Sequence, residues 1–567
     1  MEKSLSVVNE RTHILLVGGI TLLVYANSLA NGFTYDDEAY ILHNQAVKSF
    51  SVSGLLHPVS FNNVLRPVTF LSFAVNWAIG HTHPLGYHLL NVLLHAGVTL
   101  MLYLVLRTLL ESQHAAGTIA LVAALLFAVH PIHSEAVASI AGRSELLAVG
   151  FGFAAWYLHL RQRPSWSVVC LCLALLSKES AVVFVPLIVI GDYLRGRLWL
   201  PRYGWLIGFA AVYLVTFWKL EGYRWGEKRV ALLDNPLASL PAGLRILNAL
   251  RVAWKYLALQ MYPARLSYDY SYNAIRLYGD WRHTALALAG ALVVVGLWIW
   301  AIWTRRNGWV LAGALYLGGF AVTANVLVAT GTIMGERLAY LPSAGLCLSA
   351  ALLWMVVARR DRRWAWTILS VVVLALTVRT TIRNQDWRDN LTLYSAAMHA
   401  VPGSAKAHFN LASEFDRLGQ TGEARAEYAQ AIRIYPDYPE AIENSGLLES
   451  RLGHDQDARK LLETAVWLTP NSSPDHNFMT VNLAWHLTKT GQTEDALRLL
   501  DGVIARWSVY SPAWSNRAVA HYQRGEVGAA RSDAEAALRL DRANAQAQTL
   551  LNVLNAGLPP EERVSSK

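Results

Sequence analysis

Residues 86–109 read GYHLLNVLLHAGVTLMLYLVLRTL, a run whose one formal charge, Arg107, sits near its end. A helix needs about 20 predominantly apolar residues to cross the hydrocarbon core of a bilayer, and this run is long enough. Comparable runs lie around it at 13–30, 117–131, 145–161, 165–177, 180–191, 203–220, 283–304, 309–330, 338–357 and 364–382. Together they predict an all-α, polytopic membrane domain of about eleven spans, with 165–191 being either two crossings or one helix broken at Lys178 and Glu179. Near residues 383–387 the pattern changes: apolar residues then recur at helical spacing among many charges. The 567 residues, 54% hydrophobic with mean hydropathy +0.28, thus divide into a membrane domain at 1–385, a linker at 386–404 and a soluble helical domain at 405–567.

Charge follows the same division. The chain carries +9 overall but −5 from Asp386 onward, which leaves +14 for the membrane part. Basic loops at Arg107, at Arg161 and Arg163, at Arg195, Arg197 and Arg202, at Arg305 and Arg306, and at Arg359, Arg360, Arg362 and Arg363 account for that excess. Such loops orient spans and contact anionic membrane lipid, so no nucleic-acid partner is implied. All of them fall on the cytoplasmic side if 221–282 stays outside, with 249–262 re-entrant or lying along the interface. Eleven crossings then give a cytoplasmic N-terminus, read as an uncleaved first span up to Ala30, and an external C-terminus. Cys170, Cys172 and Cys347 lie inside apolar runs and read as buried hydrophobes rather than a disulfide.

Segments 405–438 and 439–472 align on a 34-residue period, the length of a tetratricopeptide unit. The first carries Leu411, Ala412, Gly419, Ala424, Tyr428 and Ala431; the second repeats the pattern through Gly446, Gly453, Ala458 and Ala465. After a short insertion come 477–510 and 511–544, then a terminal helix at 545–556. Small residues let the two helices of a unit cross closely, and the glycine ends the first of them. The resulting solenoid has a concave groove suited to a protein segment, the plainer alternative being a self-association module.

The stretch Phe33-Thr34-Tyr35-Asp36-Asp37-Glu38-Ala39-Tyr40 follows the first span. Three consecutive acids beside a bilayer repel one another and cost desolvation, so they point to a bound ion, a cationic group or a proton acceptor, against the alternative of a solvated loop. Arg66, in Leu65-Arg66-Pro67, stands at the entrance to apolar sequence, with a guanidinium shaped to hold a phosphate. His130-Pro131-Ile132-His133-Ser134-Glu135-Ala136-Val137 superficially suggests metal but lacks the usual helical zinc spacing. Lys178-Glu179 and Glu336-Arg337 each set a base beside an acid at a span end, as structural ion pairs or, with Arg66 and Arg143, as a cationic pocket for a lipid phosphate. The topology above brings all of these to the outer face.

The ordered set Tyr35-Asp36-Asp37, Arg66-Pro67, Gly86 to His95, His130 to Val137, Gly142-Arg143, Lys178-Glu179 and Glu336-Arg337 with Tyr340-Leu341-Pro342, followed by repeats, resembles the transmembrane and tetratricopeptide repeat O-mannosyltransferases. The resemblance implies the glycosyltransferase C fold and a polyprenyl-phosphate sugar donor used on the non-cytoplasmic side. It implies that Asp36 or Asp37 acts as general base toward a Ser/Thr or sugar hydroxyl in one inverting displacement. Glu135 would orient the acceptor or support the base, Arg66, Arg143, Lys178 and Arg337 would meet the donor phosphate, and Glu38, His130, His133, Glu179 and Glu336 would serve the acceptor or support the site. Members of this kind are thought to need no cofactor, although an Asp-Asp-Glu run permits a divalent metal. With only about four repeats and no evident eukaryotic retention signal, the chain is expected to be a bacterial relative in the inner membrane, its repeats in the periplasm holding an acceptor protein. The competing readings are a glycosyltransferase acting on lipid or a cell-envelope polymer, a non-catalytic membrane scaffold, and a transporter. A scaffold has no need of the acidic run, and a transporter would carry its charges near mid-span.

Overall fold

The structure, a computed structural model, describes residues 10–51, 54, 65–113, 115–198, 203–225, 230–277, 281–326 and 329–556. Arg202 of the basic loops lies outside them. The chain divides into two compact units, 1–404 and 405–567, and helices build both, with no strand among the described residues.

In the first unit, α1 (Glu10–Tyr25), α2 (Pro67–Gly80), α3 (Leu85–Leu109), α4 (Ala116–Ala128), α5 (Arg143–Leu160), α6 (Pro164–Ser177) and α7 (Phe184–Leu194) come first. Then follow α8 (Gly204–Trp225), α9 (Ala242–Met261), α10 (Trp281–Trp303), α11 (Asn307–Phe320), α12 (Tyr340–Arg360), α13 (Arg362–Asp386) and α14 (Asn390–Ala400). Helix α4 is apolar on every side, as a helix enclosed by protein must be: residues 119–128 are all buried, packed between α3 and α12. Around this centre α5 and α6 form an antiparallel hairpin, and α11 and α12 another. By contrast α10 shows Leu286, Leu292, Val293 and Leu297 to the outside, the expected face of a helix against lipid.

All eleven apolar runs form helices, yet fewer qualify as crossings. Among the described residues five are long and apolar enough: Glu10–Ala30, Leu85–Leu109, Trp281–Trp303, Glu336–Arg360 and Arg362–Asp386. A sixth results if Ala116–Ala128 and Pro131–Ala138, bent by 54°, count as one. For some of the others the reason is length. At 1.5 Å per residue the 14-residue α6 reaches only about 21 Å, short of a hydrocarbon core about 30 Å thick. Apolarity alone does not tell a short helix from a span.

Two further differences concern connections. Residues 67–80, in which the sequence reading placed no span, form α2, opened by Pro67 at its first turn. Residues 386–404, read as a linker, carry α14 and fall within the first unit. Helix α9 covers the stretch read as re-entrant or interfacial; its face of Ala249, Val252, Tyr256 and Leu259 packs with Ile132, Phe320 and Met334.

The second unit is four helix pairs and a last helix: α15 (Ala405–Arg417) with α16 (Thr421–Ile434), α17 (Pro439–Arg451) with α18 (Asp455–Leu468), α19 (Pro474–Lys489) with α20 (Thr493–Arg506), α21 (Ser511–Gln523) with α22 (Val527–Leu540), then α23 (Ala545–Asn555). Gly419, Gly453, Gly491 and Gly525, one after each first helix, have φ of +75°, +80°, +79° and +78°. That left-handed conformation closes a helix and is strained for residues with a Cβ. Ala424, Ala458, Ala496 and Ala530 are wholly buried where the helices of each pair meet.

Candidate active site

One end of the first unit gathers charged side chains from six chain segments. After α1 the chain runs through a short turn to Tyr35, at φ +50°, and delivers Asp36, Asp37 and Glu38 in three different directions. Asp37 points inward and is fully buried. Its Oδ1 accepts from Ala141 N at 2.7 Å and Ser139 Oγ at 3.4 Å; its Oδ2 accepts from Thr34 N at 3.1 Å and Thr34 Oγ1 at 3.5 Å. Burial pushes its carboxyl up to about 7, against the pull of the Ala141 and Thr34 N–H groups. Glu38 accepts from Asn390 Nδ2 at 2.8 Å, while Asn390 Oδ1 accepts from Tyr35 N. Asp36 keeps 24% of its side chain open and lies 3.6 Å from Arg337 Nη1.

Arg337 is held by Glu135, which is buried in the turn after α4. Its Nη1 donates to Glu135 Oε1 and its backbone N to Oε2, both at 2.8 Å. The preceding residues are fixed too. Tyr256 Oη on α9 accepts from Gly335 N at 2.9 Å and lies 3.0 Å from Gly335 O, to which it donates. Buried Glu336 accepts from Ser267 N at 2.6 Å and Tyr270 Oη at 2.7 Å, with Arg383 at 3.5 Å. Thus Arg337 rides on a braced turn while 32% of its side chain stays open.

Arg66 donates from Nε and Nη2 to Glu179, at distances from 2.8 to 3.2 Å. Burial alone would raise the Glu179 carboxyl, but Arg66 and Lys178 overcome it and bring it to about 2. Lys178 is paired with Glu145 of α5, and burial lowers its ammonium against the pull of that carboxylate. Beside this pair lies a small pocket with room for about one water, lined by Glu145, Val149, Ser180, Phe184, Thr323 and Leu341.

Other candidates face away. Arg143 is fully buried and spends its guanidinium on Asn91 Oδ1 (2.8 Å), Asn76 Oδ1 (2.7 Å), Ser72 O and Oγ (3.2 Å each) and Tyr87 O (3.0 Å), stacked on Phe73. It rivets α2, α3 and α5 together. His130 accepts from Ile132 N through Nδ1 and meets Gln260 O at 2.8 Å through Nε2, and His133 Nε2 meets Ser343 Oγ at 2.7 Å. With Glu135 turned to Arg337, these three do not converge. Among the described residues no three His, Cys, Asp or Glu side chains are grouped to hold a metal ion.

Sequence reasoning passed over Asn91, Glu145, Tyr256, Tyr270 and Arg383. Asn91 did carry a signal, being an amide inside an apolar span, where such a group needs a partner. Tyr256 and Tyr270 carried none.

A tetratricopeptide-repeat family model matches residues 378–439 and 481–546. The chain is 30% identical over 444 residues to Protein O-mannosyl-transferase F38B6.6 of Caenorhabditis elegans, covering 75% of this chain and 63% of that protein. It is 26% identical over 606 residues to human Protein O-mannosyl-transferase TMTC3, covering 94% and 64%. The chain therefore spans somewhat under two thirds of the length of these relatives. Both are animal proteins, so the expectation of a bacterial source draws no support from them. Among solved structures it is similar to MamA 41-end from Desulfovibrio magneticus RS-1, at 22% identity over 27% of this chain and 84% of that one, with a TM-score of 0.24.

Proposed function

We propose that this chain, whose homologues are TMTC-family protein O-mannosyl-transferases, is itself a membrane glycosyltransferase. It moves mannose from a polyprenyl-phosphate donor to a Ser or Thr hydroxyl of a protein on the non-cytoplasmic side. The observation that carries this reading is Asp36: of the two adjacent aspartates, Asp37 is sealed in the interior and Asp36 is open beside Arg337.

In the reaction Asp36 takes the proton of the acceptor hydroxyl as that oxygen attacks the anomeric carbon. The new C–O bond forms opposite the breaking bond to phosphate, so configuration inverts, and the electron pair leaves with polyprenyl phosphate. A positioned base contributes about 10²- to 10⁴-fold. The departing phosphate needs positive charge rather than a proton, and the half-open Arg337 supplies it, with Arg66 and Lys178 close behind. Arg143 takes no part, since its donors are engaged inside the helix bundle. The reading requires no cofactor, and the repeat groove holds the acceptor protein.

Purified chain supplied with polyprenyl-phosphate mannose and a Ser/Thr peptide tests it. Asp36→Asn should lose about 10²- to 10⁴-fold in rate while still binding donor. Arg337→Ala should instead weaken donor binding by roughly 1.5–3 kcal/mol, the worth of a charge-assisted hydrogen bond. An Asp36→Asn variant with full activity would return the scaffold reading to first place, and transfer to lipid or polymer but not to peptide would change the acceptor class.

A further inference from the structure

Lys255, on α9, is half-buried, with its Nζ over the ring of Tyr270 at 5.0 Å from the centroid. Among the described residues it forms no ion pair and donates no hydrogen bond. Burial lowers its ammonium, against the pull of Glu336. An ammonium has three donors, and removing it from water without an acceptor is costly. The face of a tyrosine ring offsets only part of that cost and leaves the positive charge unmatched.

The chain after α9 places this cation at the carboxylate end. Tyr268 packs against Tyr35, ring centroids 4.8 Å apart, and Tyr35 directly precedes Asp36. Tyr270, two residues further on and fully buried, donates to Glu336 Oε1 at 2.7 Å, and Glu336 directly precedes Arg337. Tyr256, the neighbour of Lys255 in α9, grips Gly335 of the same turn. Lys255 thus belongs to the framework that holds Asp36 and Arg337, on a flexible four-carbon stem that lets its head leave the ring.

Charge then distinguishes it from every other cation named at this end. Arg337 lies beside Glu135 and Asp36, Arg66 beside Glu179, Lys178 beside Glu145, and Arg383 beside Glu336 and Asp386. Glu336, the carboxylate that Lys255 feels, is already engaged by Arg383, Tyr270 and Ser267 N. An anion arriving at Arg337 meets two carboxylates along with the guanidinium, a group with no net positive charge. Yet as the bond from the anomeric carbon to phosphate breaks, the electron pair passes to the phosphate oxygen, and the single negative charge of the donor becomes two. A preorganised cation that no carboxylate has matched suits that change.

We propose, on the transferase reading, that Lys255 is a further donor-binding residue: its ammonium meets the phosphate of the polyprenyl-phosphate sugar and stabilises the second charge on the departing polyprenyl phosphate. Arg337 orients the phosphate beside Asp36, and Lys255 supplies the unmatched charge.

The test uses the purified full chain with polyprenyl-phosphate mannose and a Ser/Thr peptide, polyprenyl phosphate as product inhibitor and polyprenol as its uncharged counterpart. Lys255→Met, which keeps the length of the stem and removes the charge, should weaken inhibition by polyprenyl phosphate about 10- to 100-fold, the worth of one hydrogen bond between charged groups. It should lower kcat/KM for the donor by at least as much, with the peptide KM and the response to polyprenol unchanged. Lys255→Arg, which keeps a cation, should recover most of the inhibition. If the methionine variant does not fold, Lys255→Gln makes the same comparison. Undiminished inhibition by polyprenyl phosphate in a folded, uncharged variant overturns the proposal while wild-type transfer leaves the transferase reading standing. Equal losses toward donor and peptide together with a lower melting temperature would mean a packing role and overturn it as well. A wild-type chain that transfers nothing from this donor removes the transferase reading, and the proposal with it.

Discussion

Asp37 has its carboxylate closed on four donors, and the neighbouring Asp36 has its own open to solvent beside a guanidinium. This makes the two aspartates separable by experiment. Asp37→Asn should chiefly cost stability, because the amide cannot accept at both of its former oxygens. It should also change the pH response. With a folded value near 7 and an ordinary value near 4, buried Asp37 keeps a proton that the unfolded chain releases, so wild-type stability falls as pH rises from about 4 to 7. The melting temperature of Asp37→Asn should be flatter across that window, and parallel curves for the two proteins would contradict the assignment. Sequence alone singled out the acidic run but not which member was free. Adjacent residues on a turn diverge by angles that only the surrounding packing sets.

At the level of helices, close approach is bought by small residues in both units. Gly345 on α12 lies so near α11 that an added Cβ would press on the backbone of Ala312 and Tyr316, which cannot swing aside. Gly345→Ala should therefore destabilise by about 1–3 kcal/mol, the usual effect of overpacking, seen as a lower melting temperature in detergent. Gly97→Ala on α3 is the matched control, since a Cβ there meets nothing within 4 Å. It should leave the melt unchanged or raise it by up to about 1 kcal/mol of stability, the helix-interior advantage of Ala over Gly. The helices were legible as apolar runs, whereas α2 and the bracing role of α9 were not. Tyr256 grips Gly335 from 79 residues away in sequence, and no local pattern announces such a pairing.

For the molecule as a whole, the repeat unit buries each pair of helices on its neighbours, so residues 405–567 should fold without the membrane unit. A cooperative helical melt of that fragment by circular dichroism is the expected result; a broad, non-cooperative loss of signal would count against it. The location of the C-terminus is a separate matter. If the basic end faces the cytoplasm and the carboxylate site the outside, a reporter fused after the repeats should be active only on the non-cytoplasmic side. A cytoplasmic signal would reverse the proposed topology.

What the sequence determined by itself was whatever depends on local period and composition. That covers the apolar helices, the change of character near residue 385, the 34-residue repeat with its closing glycines, and the set of polar residues too costly to keep beside a bilayer without a purpose. Tertiary structure alone decided how that set was divided. Arg143, as conspicuous in the sequence as Arg337, is spent on Asn91, Asn76 and two backbone carbonyls, while Arg337 keeps part of its guanidinium open beside Asp36. The physical reason is that a charged side chain's role depends on which partners satisfy it, and those partners come from helices far apart in the chain.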